Sequence, residues 1–196
     1  MTESVAETTW TNETALLVID VQKGVVVDGF DRDGVVSRIA GLIGYARAHQ
    51  VPVIYIQHEE PSYPPMARGG GDWEIVDEIA PNVGEPVIAK QYPDSFAETD
   101  LESTLDDLGV RHLVICGAQS DACVRATTYR AMIEGYDVTL VGDAHTTSDR
   151  PYSGGTIPAE QVINHVNIAT PYIAYPGRAP RVVRQAELVT GEPVTI

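Results

Sequence analysis

Short apolar runs of strand length alternate along this chain with segments whose apolar residues recur every three or four positions. That alternation is the pattern of β-α-β crossovers, and it confines the chain to a parallel sheet with helices on both faces. The first run, residues 15–19, is apolar throughout, as a strand buried on both faces must be, and it stops at Asp20. Val35, Val36, Ile39, Leu42, Ile43 and Ala46 then repeat at helical spacing. Residues 53–56, 86–89, 112–116 and 138–141 read as the second to fifth strands, and residues 182–183 with their neighbours as a sixth. Thr99 to Glu102 fits a capping box that opens a helix carrying Leu101, Leu105 and Leu108. A further helix is predicted over residues 121–134, before Gly135, and another from Pro158 through Ala169. The expected fold is α/β: a three-layer αβα, Rossmann-like arrangement around a six-stranded, mainly parallel sheet. One domain over residues 1–196 is expected, with a polar extension over 1–13 and a C-terminal strand and tail over 171–196.

The segment between residues 58 and 85 breaks the pattern. It holds Pro61, Pro64, Pro65, the triplet Gly69 to Gly71, and the aromatic residues Tyr63 and Trp73. A loop of this length inside a compact domain is usually functional or mobile, and residues 74–80 suit a short helix within it.

Charge excludes several classes of partner. Acidic side chains number 28 against 13 basic ones, a net charge of −15. Nucleic-acid binding rests mainly on Lys and Arg neutralising phosphates, so no nucleic acid is expected. An anionic membrane surface is disfavoured for the same reason, and no run approaches the 18 apolar residues of a membrane span. The N-terminus lacks a basic stretch followed by an apolar one, so no secretory signal is expected and a cytoplasmic location is the default. Cys116 and Cys123 have neither redox-pair nor zinc-pair spacing.

In an open parallel sheet, ligands bind beyond the carboxyl ends of the strands. Strand one delivers Asp20 to that edge and strand three delivers Lys90. Strand four leads through Gly117 to Cys123 at the start of a helix, where the helix dipole lowers a thiol pKa. Singly, the three have plain readings: a turn-forming Asp, a solvated Lys, a small buried Cys. Their convergence on one edge, as base, cation and nucleophile, is what the plain readings do not explain.

The strings Leu16 to Gln22, Val87 to Lys90 with Phe96 beyond, and Cys116 to Val124 followed by Thr127 carry a resemblance to the isochorismatase-like cysteine hydrolases, in its metal-independent amidohydrolase branch. Gly135 to Val138 and Gly142 to Ala144 match the same family pattern. The resemblance spans about residues 14–170 and implies an Asp–Lys–Cys triad of Asp20, Lys90 and Cys123. It further implies a cis peptide between Ala118 and Gln119, and an oxyanion hole made by the backbone N–H groups of Gln119 and Cys123. Ser120 stands where Thr is more usual. The implied reaction is hydrolysis of a C–N bond of a small molecule (an amide, carbamoyl compound, imide or lactam) through a Cys thioester, with no organic cofactor. Family members are usually dimers or tetramers, so a homodimer or homotetramer is expected.

Nicotinamidases of the same superfamily hold a metal through an Asp-x-His pair, but here the corresponding stretch reads Gln57-His58-Glu59-Glu60. His49, His112, His145 and His165 show no ligand spacing either, so no catalytic metal is expected. Gln22, Trp73, Tyr92 and Phe96 fall in or near segments that should rim the site, and are candidates for a substrate pocket. Phe96 reads equally as core, and Arg68 as meeting either a substrate carboxylate or solvent. Two alternatives stand beside the amidase reading: isochorismatase-type vinyl-ether hydrolysis, which needs no thiol, and a non-catalytic scaffold or interaction protein that keeps the fold. An aspartyl phosphohydrolase is disfavoured because Gln22 stands where a second Asp is needed. Dinucleotide binding lacks its G-x-G-x-x-G fingerprint after strand one.

Overall fold

A strand with no polar alternation is stable only if both of its faces are covered. Strand β1 (Thr14–Ile19) meets that condition, with all six residues buried. The computed structural model describes residues 9–191. In it β1 is followed by β2 (Val53–His58), β3 (Val87–Lys90), β4 (His112–Ala118) and β5 (Asp137–Thr146). A small hairpin of β6 (Arg150–Tyr152) and β7 (Gly155–Ile157) comes next, and β8 (Arg181–Val183) is last. The main sheet runs β3-β2-β1-β4-β5-β8, and every pairing in it is parallel.

Because successive side chains point to opposite faces, β1 splits between two cores. Leu16 and Val18 join Val35, Val36, Ile39, Leu42 and Ile43 on one side. These last five belong to a helix over Arg32–Ala48, with a short helix over Lys23–Val26 before it, here α2 and α1. Ala15, Leu17 and Ile19 pack on the other side with Leu101, Leu105, Ala131, Met132 and Val166. That layer is built from α3 (Leu101–Asp107), α4 (Arg125–Ile133) and α5 (Ala159–Ala169). Helix α6 (Gln185–Thr190) returns to the first layer, where Leu188 is buried.

Several local expectations change. Residues 74–80 make a single 3-10 turn at Asp77–Ile79 in place of a helix. The capping box at Thr99 does not form: the Thr99 hydroxyl donates to the Ser95 carbonyl at 2.6 Å and accepts from the Leu101 N–H at 3.3 Å, not from that of Glu102, and Asp100 becomes the N-cap residue without a side-chain cap of its own. Leu108, placed on the apolar face by its spacing, is exposed at the end of that helix. The helix predicted from residue 121 begins as a π turn over Ser120–Val124, with regular α-helix only from Arg125. Strand β5 runs five residues past its expected end at Val141. The C-terminal tail contains α6 as well as a strand, while residues 1–8 of the extension and 192–196 of the tail lie outside the described residues. Among the described residues, no helix is long and apolar enough to cross a membrane.

The strand ends are level. Ile19, the last residue of β1, pairs with Ile56 on one side and Gly117 on the other, so the residues that follow share one edge. Gly117 is held at φ +124°, and a Cβ there would overlap the Ile19 carbonyl oxygen and lie 2.7 Å from its amide nitrogen. Gly117→Ala therefore combines backbone strain with a collision in the centre of the sheet. It is expected to lower unfolding free energy by at least about 2 kcal/mol, read as the midpoint shift in urea denaturation.

Candidate active site

Asp20 leaves the end of β1 in a left-handed conformation, φ 50°, and turns its carboxylate into the protein. Lys90 ends β3, two strands away, and its side chain crosses the end of β2 to reach Asp20. The Lys90 Nζ donates to Asp20 Oδ2 at 2.7 Å, and the two side chains are 0% and 1% exposed. The same ammonium lies 3.2 Å from His58 Nδ1 and 3.3 Å from Cys123 Sγ. An ammonium has three N–H bonds, and here each has one acceptor. The structure thus brings together the three residues singled out at the strand ends and adds His58, which pairs with Lys90 across β2 and β3.

The electrostatics follow from burial. Loss of water raises the Asp20 carboxyl above its ordinary value, with the Lys90 ammonium opposing that rise. Burial also pushes the Cys123 thiol up to about 12; Asp20 adds to the shift and Lys90 works against it. Burial thus opposes the lowering expected from the helix N-terminus, where Cys123 lies in a π turn that runs directly into α4. With Lys90 facing two acids, one negative charge is favoured and a second is not. Asp20 Oδ1 is buried and accepts no hydrogen bond among the described residues. A carboxylate oxygen of Asp20 and the Cys123 sulfur lie within 4.8 Å of each other, and each bears on the other's titration. His58 is pushed below its ordinary value by burial and then by Lys90, so it faces the ammonium as a neutral acceptor.

Asp20, His58 and Cys123 offer one oxygen, one nitrogen and one sulfur within 4.8 Å of one another, a donor set that suits a metal ion. The Lys90 ammonium already lies against all three.

The peptide between Ala118 and Gln119 is cis. The Gln119 carbonyl accepts from the N–H groups of Ala122 and Val124, which closes the turn that presents Cys123. Three side chains not singled out from the sequence hold this turn. Arg150 Nη2 donates to Gln119 Oε1 at 2.7 Å, and its Nε donates to Asp121 Oδ2 at 2.9 Å. The Thr147 hydroxyl donates to Asp121 Oδ1 at 2.8 Å, and His145 Nδ1 lies 2.8 Å from Ser120 Oγ.

The residues considered for a substrate pocket divide. Gln22 is fully buried, and its amide is committed to the backbone: Nε2 donates to the carbonyls of His58 and Trp73, and Oε1 accepts from the His58 N–H. Gln57 Nε2 donates to the same Trp73 carbonyl at 2.8 Å, so two amides tie the long loop to the strand ends. The Trp73 indole N–H is buried and has no acceptor among the described residues. Tyr92 is half exposed just beyond Lys90. Phe96 packs in the second core, its ring 5.8 Å from that of Tyr136. Arg68 pairs with Glu59 at 3.1 Å on the surface.

Comparison with known proteins bears on the family and the fold. The isochorismatase domain model matches residues 14–155. The chain is 38% identical over 153 residues to the streptothricin hydrolase of Streptomyces noursei, covering 74% of this chain and 60% of that protein. It therefore spans less than two thirds of that relative's length. It is 30% identical over 171 residues to the ureidoacrylate amidohydrolase RutB of Azorhizobium caulinodans, covering 67% of this chain and 75% of the relative. The crystal structure of an isochorismatase from Pseudomonas putida KT2440 aligns with a TM-score of 0.82 at 31% identity, over 90% of both chains.

Removing Lys90 leaves a buried carboxyl without its counter-charge. Lys90→Met is expected to cost about 3–5 kcal/mol at neutral pH, and adding Asp20→Asn is expected to recover part of that loss. The sign with pH follows from the carboxyl. In Lys90→Met the folded-state pKa of Asp20 is raised further, so the variant is most stable where Asp20 is protonated and loses stability as pH rises through that range. Urea denaturation of both variants across pH 4 to 8 checks this; equal pH slopes would contradict it.

Proposed function

The chain belongs to the isochorismatase family, and from that premise we propose that it is a hydrolase that cleaves a C–N bond of a small amide, carbamoyl compound, imide or lactam through a thioester on Cys123. One observation carries the reading: a single buried ammonium lies 2.7 Å from a carboxylate and 3.3 Å from a thiol at the ligand-binding edge of a parallel sheet. The names of two relatives, a streptothricin hydrolase and a ureidoacrylate amidohydrolase, support the same class of reaction.

The chemistry balances with this chain's own groups. Asp20 takes the thiol proton and Cys123 Sγ bonds to the substrate carbonyl carbon, while the Lys90 ammonium keeps the negative charge within the site tolerable. Charge develops on the carbonyl oxygen, where the backbone N–H groups of Gln119 and Cys123 are the proposed donors; one such donor is typically worth about 10²–10³ in rate. Asp20 returns its proton to the leaving nitrogen, the C–N bond breaks, and the amine departs from a thioester. Asp20 then takes a proton from water, the resulting hydroxide attacks the thioester carbon, and the C–S bond breaks to release the acid. The proton passes back to sulfur and the resting site is restored.

Cys123→Ala is expected to reduce turnover by at least about 10³-fold, because it removes the atom that forms the bond. Intact-protein mass spectrometry after brief exposure to a panel of small amides, imides and lactams should show an acyl adduct on the native protein and none on the variant, with amine release measured in the same samples. Undiminished product release by Cys123→Ala would overturn the thioester route in favour of proton-driven cleavage by Asp20.

A further inference from the structure

We infer that His145 is a positioning residue for the nucleophile: its Nδ1 accepts the Ser120 hydroxyl hydrogen bond that holds the turn carrying Cys123. The role deepens the proposed hydrolase reading and rests on Cys123 being the nucleophile of that site.

Three consecutive side chains of the turn are each anchored to the stretch of chain that ends β5 and enters the hairpin. Gln119 is held by Arg150, Ser120 faces His145, and Asp121 is held by Arg150 and Thr147. Two of these anchors reach partly exposed side chains, whereas His145 is 1% exposed and Ser120 is fully buried. The buried anchor is therefore the one water cannot replace.

The direction of its hydrogen bond can be read along a chain of partners. The Gly142 carbonyl can only accept, so the Asn167 group 2.8 Å from it is the amide Nδ2. Asn167 Oδ1 is then an acceptor, 2.9 Å from His145 Nε2, which must carry the proton. Burial pushes His145 below its ordinary value, with Asn167 and Asp143 opposing, so the ring is neutral and Nδ1 carries a lone pair. The Ser120 hydroxyl, 2.8 Å away, must donate to it. Asp143, the charged group bearing on His145, has its own partner in the Gln185 N–H at 2.8 Å. The relay thus runs from the carbonyl of Gly142 in β5, through α5, back through β5, and ends three residues before the nucleophile.

Amide side chains can replace one ring nitrogen at a time. His145→Asn keeps an acceptor near the Nδ1 position, His145→Gln keeps a donor near Nε2 but loses that acceptor, and Ser120→Ala removes the hydroxyl. Loosening the turn admits water to Cys123, whose raised pKa comes first from burial. Its reaction with iodoacetamide should therefore become faster while catalysis becomes slower. For His145→Gln and Ser120→Ala the expected result is about tenfold faster alkylation of Cys123 at pH 8, a reaction midpoint moved to lower pH, and a kcat lowered by about 10- to 100-fold with KM little changed. His145→Asn should stay within about threefold of the native protein on both readouts. Cys116, fully buried in the first core, must remain unmodified throughout, which separates local loosening from unfolding. Alkylation of Cys123 at the native rate in His145→Gln, or a rise shared with Cys116, overturns the inference. The alkylation readout needs no substrate, so a native protein that hydrolyses none of the panel while His145→Gln still exposes Cys123 would count against the hydrolase reading alone.

Discussion

The Lys90–Asp20 pair sets the terms for everything else at the sheet edge. Two opposite charges taken wholly out of water stabilise a protein only when their geometry is good and their remaining hydrogen-bonding capacity is used. Here Lys90 spends its three N–H bonds on Asp20, His58 and Cys123, from the ends of β1, β2 and the turn after β4. That arrangement requires neighbouring strands in the order β3-β2-β1-β4 to end at a common level, which the register of Ile19 with Ile56 and Gly117 provides. The long loop is tied to the same strand ends by the amides of Gln22 and Gln57 at the Trp73 carbonyl. A charge pair that would otherwise be a liability in the core becomes the feature around which the strand ends are organised.

Strand β5 supplies the other half of the frame. Its pairing with β4 is regular up to Ile115 and Leu140, then resumes at Gly117 and His145, so β5 carries three more residues than β4 between those points. The extra length lies at Gly142 to Ala144, and it is put to use: the Gly142 carbonyl orients Asn167, the Asp143 carbonyl accepts from Arg38 Nε, and the Asp143 carboxylate accepts from the Gln185 N–H. The irregularity brings His145 level with Gly117, within reach of Ser120. A regular strand would have placed another residue there, and the buried end of the relay would be lost.

How much of this was legible in the sequence depends on the range of the interaction involved. The strands could be read because burial on both faces imposes apolar runs, and Asp20, Lys90 and Cys123 because parallel sheets present their ligand-binding edge at strand ends. Turn chemistry was less legible. Thr99 and Glu102 have capping-box spacing, yet the Thr99 hydroxyl, donating to the Ser95 carbonyl, accepts from the N–H of Leu101 and not from that of Glu102, a difference that spacing does not record. The π turn at Ser120–Val124 leaves no periodic signature, and local sequence pointed to a thiol lowered by a helix terminus without recording the burial that pushes it up. His145, Asn167 and Arg150 matter through contacts 22 to 31 residues away in sequence. No local pattern marks such residues, and only the folded chain brings them to the turn.

The position of the ammonium also constrains how the site can stabilise developing charge. Asp20, His58 and Cys123 form a donor set that would suit a divalent ion, but Lys90 Nζ lies 2.7 to 3.3 Å from all three, so any ion would have to displace a buried cation from its counter-charge. An ammonium differs from a metal in what it can do next. With its three N–H bonds already directed at protein atoms, it lowers the cost of negative charge on sulfur or carboxylate but has no open position to polarise a carbonyl oxygen. In the proposed thioester route an oxyanion then needs other donors, and the backbone N–H groups of Gln119 and Cys123 are the proposed ones. On that proposal the rigidity of residues 119–123 serves catalysis as well as folding, and three successive side chains of the turn are each fastened to the chain that ends β5 and enters the hairpin. In the proposed reaction the buried charge pair prepares the nucleophile, while the anchors on the turn decide whether the nucleophile and the oxyanion donors arrive together.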